Sequence, residues 1–141
     1  MDDLELAKKV LKENNLSLVI VKSGRVVYTT KDRGVKSFLE AIEEHGEELY
    51  DSAAADRVVG LAIAMLCEYA KIRKIYGEVM SVKGFEKLSE KGIVAQYGML
   101  VPEILDRNRV EECPFEKIAA KCENGSECYE KIRALFFDTR S

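Results

Sequence analysis

The first thirty residues change from a helical to a strand-like spacing of apolar positions. The N-terminal segment predicts an amphipathic helix that begins at Asp2 or Asp3. The apolar residues of its buried face are Leu4, Ala7, Val10 and Leu11. The next segment, LSLVIVKSGRVVYTT, consists of two β-branched runs on either side of Ser23-Gly24-Arg25. This pattern predicts a β-hairpin of two antiparallel strands.

A second amphipathic helix is predicted after the hairpin and should end at Gly46. Its apolar face consists of Val35, Phe38, Leu39 and Ile42. Five glutamates fill its outer side and the following turn: Glu40, Glu43, Glu44, Glu47 and Glu48. Because they cluster without the spacing of cation ligands, we interpret them as a solvated helix face rather than a cation site.

The segment AAADRVVGLAIAMLC, residues 53–67, is almost wholly apolar apart from an Asp-Arg pair and a glycine. Asp51 and Ser52 are candidate N-caps, and we predict one helix from there to about Lys71. Beyond Val58 this helix would be apolar nearly all round. It should therefore be the central helix, covered by other elements on most sides.

The second half of the chain alternates strands and helices. KIYGEVMS predicts a buried strand, VKGFEKLSEKG a short helix closed by Gly92, and IVAQYG another strand. This alternation indicates an α/β fold with a sheet that is at least partly parallel and covered by helices on both faces. A helical tail is predicted from about residue 102, with short helices near residues 102–107, 114–122 and 126–137. One domain accounts for residues 1–141.

The composition indicates a globular chain and disfavours two classes of partner. Apolar residues make up 47% and charged residues 33%, with a net charge of -3 and a pI near 5.4. This balance gives no broad positive surface for nucleic acid or anionic lipid. The N-terminus lacks the features of a signal peptide, and no apolar run reaches the ~18 residues of a membrane span. We expect a cytoplasmic protein with no nucleic-acid partner and no membrane association.

Cysteine spacing favours free thiols over a metal site or a disulfide framework. The four cysteines are Cys67, Cys113, Cys122 and Cys128, and their spacings match neither a zinc ribbon nor a C-x-x-C pair. Cys122 and Cys128 could form a local disulfide if the turn between them brings their Cα atoms within about 7 Å. Cys113 precedes Pro114 at a predicted helix N-terminus, where a thiolate is favoured. We favour a structural thiol there over a catalytic one, because no activating base is predicted nearby.

Four phrases of the sequence carry a resemblance to a known family: ADRVVGLAIAML, IYGEVMS, GIVAQYGMLVPEIL and CPFEKI. Together with the order of elements they resemble an uncharacterised prokaryotic family, domain-of-unknown-function family 1893, over about residues 4–120. The resemblance implies a cytidine deaminase-like fold. That fold is a three-layer α-β-α sandwich, whose mixed sheet would here include the N-terminal antiparallel hairpin.

Zinc-dependent deaminases of this fold carry two motifs that the present sequence lacks. Their central helix begins with H-x-E, and the helix after the next strand begins with P-C-x-x-C. Laid over this sequence, the motifs fall near residues 56–58 and 81–84, which offer no metal ligand. The single histidine, His45, precedes the predicted central helix, and no cysteine lies between Cys67 and Cys113. A catalytic zinc needs three protein ligands, so we expect neither zinc nor another cofactor.

The polar residues of the central segment are the candidate ligand site. If residues 53–71 form one helix, Asp56 and Gly60 lie one turn apart on a face that looks toward the carboxyl ends of the strands. Gly60 costs about 1 kcal/mol in a helix interior, which the close approach of a ligand or another backbone would explain. Asp56 would hydrogen-bond a hydroxyl, an amino group or a ribose-like diol; alternatively, it only caps the helix. The candidate ligand-binding residues are Asp56, Arg57, Gly60, Ser81 and Cys113.

Three functions remain open from the sequence. The leading hypothesis is a protein that binds a small molecule, of nucleoside or nucleotide type, on a deaminase-like scaffold without zinc; the ligand class rests on fold analogy. The second is a non-zinc enzyme that uses Asp56 as an acid/base group, with Cys113 or Ser81 as helper. The third is an interaction module, for instance a homodimer, that assembles through its C-terminal helix or an exposed sheet edge. That helix could equally dock onto the core.

Overall fold

Five strands and six α-helices make up the part of the chain that the computed structural model describes, residues 1–104 and 113–137. In chain order they are α1 (Asp3–Glu13), β1 (Leu18–Lys22), β2 (Arg25–Thr30), α2 (Val35–His45), β3 (Ala53–Val59), α3 (Leu61–Ala70), β4 (Lys74–Ser81), α4 (Val82–Glu90), β5 (Val94–Val101), α5 (Pro114–Ala120) and α6 (Gly125–Phe137). A short 3₁₀ turn (Gly46–Leu49) follows α2. The strand order in the sheet is β2-β1-β3-β4-β5.

The N-terminal helix and hairpin form as predicted. Asp2 caps α1 by accepting a hydrogen bond from the N–H group of Glu5 at 2.8 Å. In the hairpin turn, Ser23 and Gly24 have φ angles of 52° and 77°, which suits the tight turn between two antiparallel strands. The carboxylate of Asp3 accepts hydrogen bonds from both of their N–H groups at 2.9 Å. The hairpin is therefore fastened to the start of α1.

Side chains on opposite faces of the sheet belong to two separate apolar clusters. The cluster on the α1 face includes Val19, Val21, Ala53, Ala55 and Tyr76. The cluster on the other face joins α2, α3, α4, α5 and α6 to Leu18, Ile20, Ala54 and Ile75. The sheet is mixed, since β1 runs antiparallel to β2 and β3 while β3, β4 and β5 are parallel. These observations confirm the prediction of a three-layer α-β-α sandwich with an N-terminal antiparallel hairpin.

The prediction of one long central helix from residue 51 to residue 71 is wrong. Residues 53–59 form strand β3, the middle strand of the sheet, and the helix begins only after Gly60. β3 is buried on both faces along most of its length, so its apolar side chains do not alternate with polar ones. Periodicity alone cannot distinguish such a strand from a buried helix. Helix α3 is nevertheless as buried and central as expected.

The other elements agree closely with the predictions. Helix α2 ends at Gly46, β4 spans KIYGEVMS, and Gly92 with a φ of 74° follows α4. Strand β5 runs three residues further than the predicted IVAQYG. Helices α5 and α6 lie where two tail helices were predicted. The third predicted tail helix, near residues 102–107, falls largely outside the described residues. Within the described ranges, no helix has both the length and the apolar character needed to cross a bilayer.

Candidate functional site

Helices α3 and α4 begin side by side at the carboxyl ends of β3 and β4. Gly60 is the residue before α3, and Ser81 is the residue before α4. A Cβ atom added to Gly84, in the first turn of α4, would lie 2.9 Å from both the carbonyl carbon and the carbonyl oxygen of Gly60. The two helix N-termini are therefore in direct contact. In open α/β sheets, ligands bind in this region at the carboxyl ends of the strands.

Ser81, one of the predicted ligand residues, caps α4. Its Oγ accepts a hydrogen bond from the N–H group of Gly84 at 3.0 Å, and the residue is buried. The sequence overlay placed the second deaminase motif near residues 81–84, and α4 does begin there.

Glu116, which the sequence analysis did not single out, caps the N-terminus of α3. Its two carboxylate oxygens accept hydrogen bonds from the N–H groups of Leu61 and Ala62, each at 2.7 Å. Glu116 is only 5% exposed although it comes from α5, more than fifty positions later in the chain. A carboxylate at this position satisfies two amides that the helix leaves unpaired and interacts favourably with the helix dipole.

The close approach that Gly60 was expected to permit is that of Glu116. A Cβ atom on Gly60 would lie 2.1 Å from Oε1 of Glu116 and 2.9 Å from Cγ1 of Ile104. Gly60 has a φ of -110°, which any residue can adopt, so space rather than backbone conformation excludes a side chain. The structure thus assigns Gly60 a packing reason within the chain itself. Whether Gly60 also contacts a ligand remains a prediction.

Cys113 lies in the segment that carries Glu116. It is the N-cap of α5, with Pro114 in the first helical position, as its sequence context predicted. Its carbonyl oxygen accepts a hydrogen bond from the N–H group of Glu116 at 2.9 Å, and its own N–H group donates to the carbonyl oxygen of Ile104 at 3.0 Å. The backbone of Cys113 therefore helps to hold Glu116 in place.

Arg57 connects the sheet to the α1 side of the protein. Its Nε donates to the carbonyl oxygen of Leu16 at 2.7 Å, its Nη2 to that of Leu11 at 3.2 Å, and its Nη1 to Oε2 of Glu78 at 2.6 Å. Residues 56 and 57 were expected in the first turn of a helix, and that prediction is wrong because both belong to β3. The arginine accordingly stabilises the packing of α1 on the sheet and does not approach the N-terminus of α3.

Asp56 is a nearly buried carboxyl group in the middle strand. It is 8% exposed, pairs with Leu18 of β1 and Gly77 of β4, and accepts a hydrogen bond from the N–H group of Val58 at 3.3 Å. Burial raises the pKa of Asp56 from 3.8 to about 7, although the N–H groups of Val58 and Arg57 and the charge of Arg57 lower it. The group thus changes its protonation state near neutral pH. The alternative that Asp56 only caps a helix is wrong, because the residue lies in strand β3.

The residues at the two helix N-termini do not suit the zinc of the deaminases. With α3 beginning at Leu61, the first motif belongs at residues 60–62 and not at residues 56–58. The residues there are Gly60, Leu61 and Ala62, which have no metal-binding side chain. His45 contacts Glu48 through Nδ1 at 2.6 Å, at the end of α2. Within residues 1–104 and 113–137, no group of three or more His, Cys, Asp or Glu side chains could hold a metal ion.

Two open hollows of about 300 Å³ lie at the other end of the parallel strands, where β3, β4 and β5 begin. Asp51 and Arg73 line both hollows. None of the five predicted ligand residues lines either of them. The predicted site and the hollows are therefore different parts of the surface.

All four cysteines are free, as expected. Cys122 donates a hydrogen bond from Sγ to the carbonyl oxygen of Ile118 at 3.3 Å. Burial, together with the neighbouring side chain of Cys122, raises the pKa of the Cys128 thiol to about 12. Burial also raises the pKa of Cys67. Neither buried thiol is activated as a nucleophile.

Alkylation of the native protein is therefore expected to spare Cys67 and Cys128. Both thiols are buried and remain protonated near pH 8, and only the thiolate reacts with iodoacetamide. The half-buried residues Cys113 and Cys122 should be modified before them. Peptide mass spectrometry after timed alkylation would measure the order, and the unfolded protein, in which all four thiols react, is the control. Equally rapid modification of Cys128 in the native protein would contradict the prediction.

Comparisons with known proteins relate most of the chain to one family, and they also find more distant proteins with a similar fold. Residues 6–136 match the family model of a domain of unknown function, DUF1893. A DUF1893 family protein from Thermotoga maritima has a similar structure, with a TM-score of 0.85, 28% identity, and coverage of 95% of this chain and 90% of that one. No curated protein matches the chain.

Weaker structural similarity extends to more distant proteins. RibD from Acinetobacter baumannii matches with a TM-score of 0.51 and 17% identity, over 68% of this chain and 34% of that one. A dCMP deaminase from the cyanophage S-TIM5 has a TM-score of 0.49 and 12% identity, over 67% of this chain and 93% of that one. The cytidine deaminase-like fold that the resemblance implied is confirmed. The chain belongs to the DUF1893 family.

Proposed function

We propose that this protein binds a small polar molecule of nucleoside or nucleotide type near Asp56, at the carboxyl-end side of β3, without zinc. The observation that carries the proposal is the nearly buried carboxyl group of Asp56 in the middle strand. A buried acid that titrates near neutral pH is more common at functional sites than elsewhere. The proposed ligand class rests on the fold, and the proposed location on this residue.

Within the part of the chain that the structure describes, the carboxyl group of Asp56 forms no ion pair, whereas a purely structural buried acid usually has one. Its negative charge is stabilised by backbone N–H groups, while the guanidinium of Arg57 is engaged by Leu11, Leu16 and Glu78. Burial of a poorly compensated carboxyl group destabilises the folded state. A ligand that donates a hydrogen bond from a hydroxyl or amino group to Asp56 would offset this cost. Gly60, Ser81 and Cys113 are proposed to border the ligand from the starts of α3, α4 and α5.

A nucleoside that binds near Asp56 is expected to raise the melting temperature. Ligand at 100 times its dissociation constant stabilises a protein by about 2.7 kcal/mol, which corresponds to roughly 5–10 °C in a domain of this size. Adenosine, cytidine, guanosine and their monophosphates are the probes for a thermal-shift screen. The increase in melting temperature should disappear in Asp56→Asn, because the side-chain amide has one acceptor oxygen where the carboxylate has two.

Asp51→Asn is the matched control, since Asp51 is an exposed acid that lines the two hollows. It should leave the thermal shift unchanged. If Asp51→Asn abolishes the shift and Asp56→Asn does not, the ligand binds in the hollows and the proposed location is wrong. If none of the probes shifts the melting temperature, the proposed ligand class is wrong.

The second candidate is an enzyme in which Asp56 transfers a proton. Its specific support is the pKa of Asp56, about 7, because a general acid or base is most effective when its pKa is near the working pH. Binding and catalysis differ in one result of the same screen. Conversion of a bound nucleoside that stops in Asp56→Asn while binding persists would favour the enzyme.

The C-terminal helix α6 packs one face on the core of its own chain. Ile132 is fully buried, and the ring of Phe136 lies 5.4 Å from that of Phe115 in α5. Leu135 is its one large apolar side chain that is exposed within the described residues. The helix therefore docks onto the core, which was the alternative to subunit assembly. We therefore propose that a homodimer forms through another surface. We also propose a cytoplasmic location for the protein.

A further inference from the structure

Among residues 1–104 and 113–137, strand β5 forms one edge of the sheet and lacks the usual protection of such edges. Its eight residues, VAQYGMLV, include no charged side chain and no proline. Four of them are large apolar residues that are exposed: Val94 (50%), Tyr97 (43%), Met99 (61%) and Leu100 (39%). Natural proteins normally block an exposed edge with charges, proline, a bulge or a covering element, because its unpaired N–H and C=O groups would otherwise bind another strand.

The other edge of the sheet is protected. Strand β2 begins with Arg25, ends in two threonines and is followed by Lys31. Its pairing with β1 contains an irregularity between Ile20 and Val21, which is another common way to discourage further pairing. The two edges of the sheet therefore differ: β2 has features that discourage further strand pairing, and β5 lacks them.

We propose that β5 pairs with β5 of a second copy of this chain in antiparallel orientation, about a two-fold axis perpendicular to the sheet. The two five-stranded sheets would then form one continuous sheet across the dimer. This proposal concerns a surface outside the candidate site and goes beyond the proposed ligand-binding function.

Charge favours a second copy as the occupant of this edge. A strand without charged residues meets no like charge when it pairs with itself. Pairing of β5 with β2 of another copy would place the apolar edge against Arg25, and repeated head-to-tail pairing would build an open fibre. Antiparallel self-pairing closes after two copies. It also satisfies the outward backbone groups of both strands with each other.

The exposed apolar surface of β5 continues onto the start of the adjoining helix α4. Val82, at the start of α4, is 37% exposed, and Phe85 holds the ring of Tyr97 in an edge-to-face contact with 5.6 Å between ring centres. Val82 therefore adds the start of α4 to the exposed apolar surface of β5. The contact at Tyr97 also fixes a large side chain before association, which reduces the entropic cost of binding.

Sedimentation equilibrium of the full chain tests the proposal. The subunit mass is 15.9 kDa, so the wild-type protein is expected to sediment at about twice this mass at about 10–100 µM. Met99→Lys places a charge from each copy in the pairing edge and should shift the protein to the monomer, with a dissociation constant raised at least about a hundredfold. Val26→Lys is the matched control, because Val26 is an exposed valine (45%) on the opposite edge and its replacement should leave the dimer intact.

Circular dichroism and a second variant keep the test decisive if Met99→Lys fails to fold. Val94→Lys introduces the charge at the other end of β5, where the side chain is also half exposed. A monomeric wild-type protein, or a dimer that persists in folded variants of β5 but dissociates in Val26→Lys, would overturn the proposal. Asp56→Asn is expected to remain dimeric, so the loss of ligand binding and the loss of the dimer are separate results.

Discussion

Asparagine at position 56 is expected to make the protein more stable than the wild type at about pH 8. Burial raises the pKa of Asp56 to about 7 in the folded state, whereas its ordinary value is 3.8. The folded state therefore holds a proton that the unfolded chain has already released. The stabilisation associated with this proton is fully present below about pH 4 and is lost as the pH rises to about 7. The difference between the two pKa values corresponds to about 4 kcal/mol.

Urea denaturation between about pH 4 and pH 8 measures this effect. The free energy of unfolding of the wild type should fall relative to that of Asp56→Asn across this range, because the amide does not ionise. Asp51→Asn, which removes an exposed carboxyl group, should follow the wild type. Parallel curves for the wild type and Asp56→Asn would show that Asp56 is not the buried titrating group. If the free energy of unfolding of the wild type instead rises relative to that of Asp56→Asn with increasing pH, the predicted direction of the pH dependence is wrong.

The expected gain from an amide supports a functional role for the acid. An asparagine would fit the same space in β3 and could still accept a hydrogen bond from the N–H group of Val58. Retaining a carboxyl group at this position lowers stability at neutral pH without an evident structural return. Departures from the most stable choice are expected at sites that bind or react.

The parts of the fold that could be predicted are those whose polar and apolar residues alternate, or whose ends are marked by a capping residue or a turn glycine. Strand β4 and helix α4 were delimited correctly because Ser81 caps the helix and Gly92 follows it with a positive φ. Strand β3 was missed because its three alanines and two valines make both of its faces apolar. In addition, only the single residue Gly60 separates the strand from helix α3. A fully buried strand joined to a fully buried helix has the hydropathy pattern of one long helix.

The candidate site was only partly predictable for a related reason. Asp56 and Gly60 attract attention in the sequence because a polar residue and a glycine are costly in an apolar segment. Their cause lies in tertiary structure: β3 carries Asp56 into the core, and Gly60 makes room for Glu116. Glu116 itself has an ordinary position in the first turn of a helix after proline. Nothing in its spacing reveals that its carboxylate binds amides of α3.

Alanine at position 60 is expected to destabilise the protein by displacing Glu116. The added methyl group would occupy the place of Oε1, which lies 2.1 Å from the Cβ position, and the carboxylate would lose its hydrogen bonds to Leu61 and Ala62. Each buried N–H group left unpaired costs about 1–3 kcal/mol, so for two such groups we expect a loss of roughly 2–6 kcal/mol in the free energy of unfolding. Glu116→Ala should cost a similar amount, because it removes the same two acceptors.

A double-mutant cycle separates this mechanism from general disruption of packing. If Gly60→Ala acts by displacing the carboxylate, it should cost much less when Glu116 is already alanine, with a coupling energy of about 2–3 kcal/mol. Gly92→Ala is the control, since nothing lies within 4 Å of its Cβ position and its φ of 74° predicts a loss of only about 1 kcal/mol. That loss should add to the effect of Glu116→Ala. Additive effects of Gly60→Ala and Glu116→Ala would instead mean that the contact with Ile104, and not the cap on α3, requires glycine at position 60.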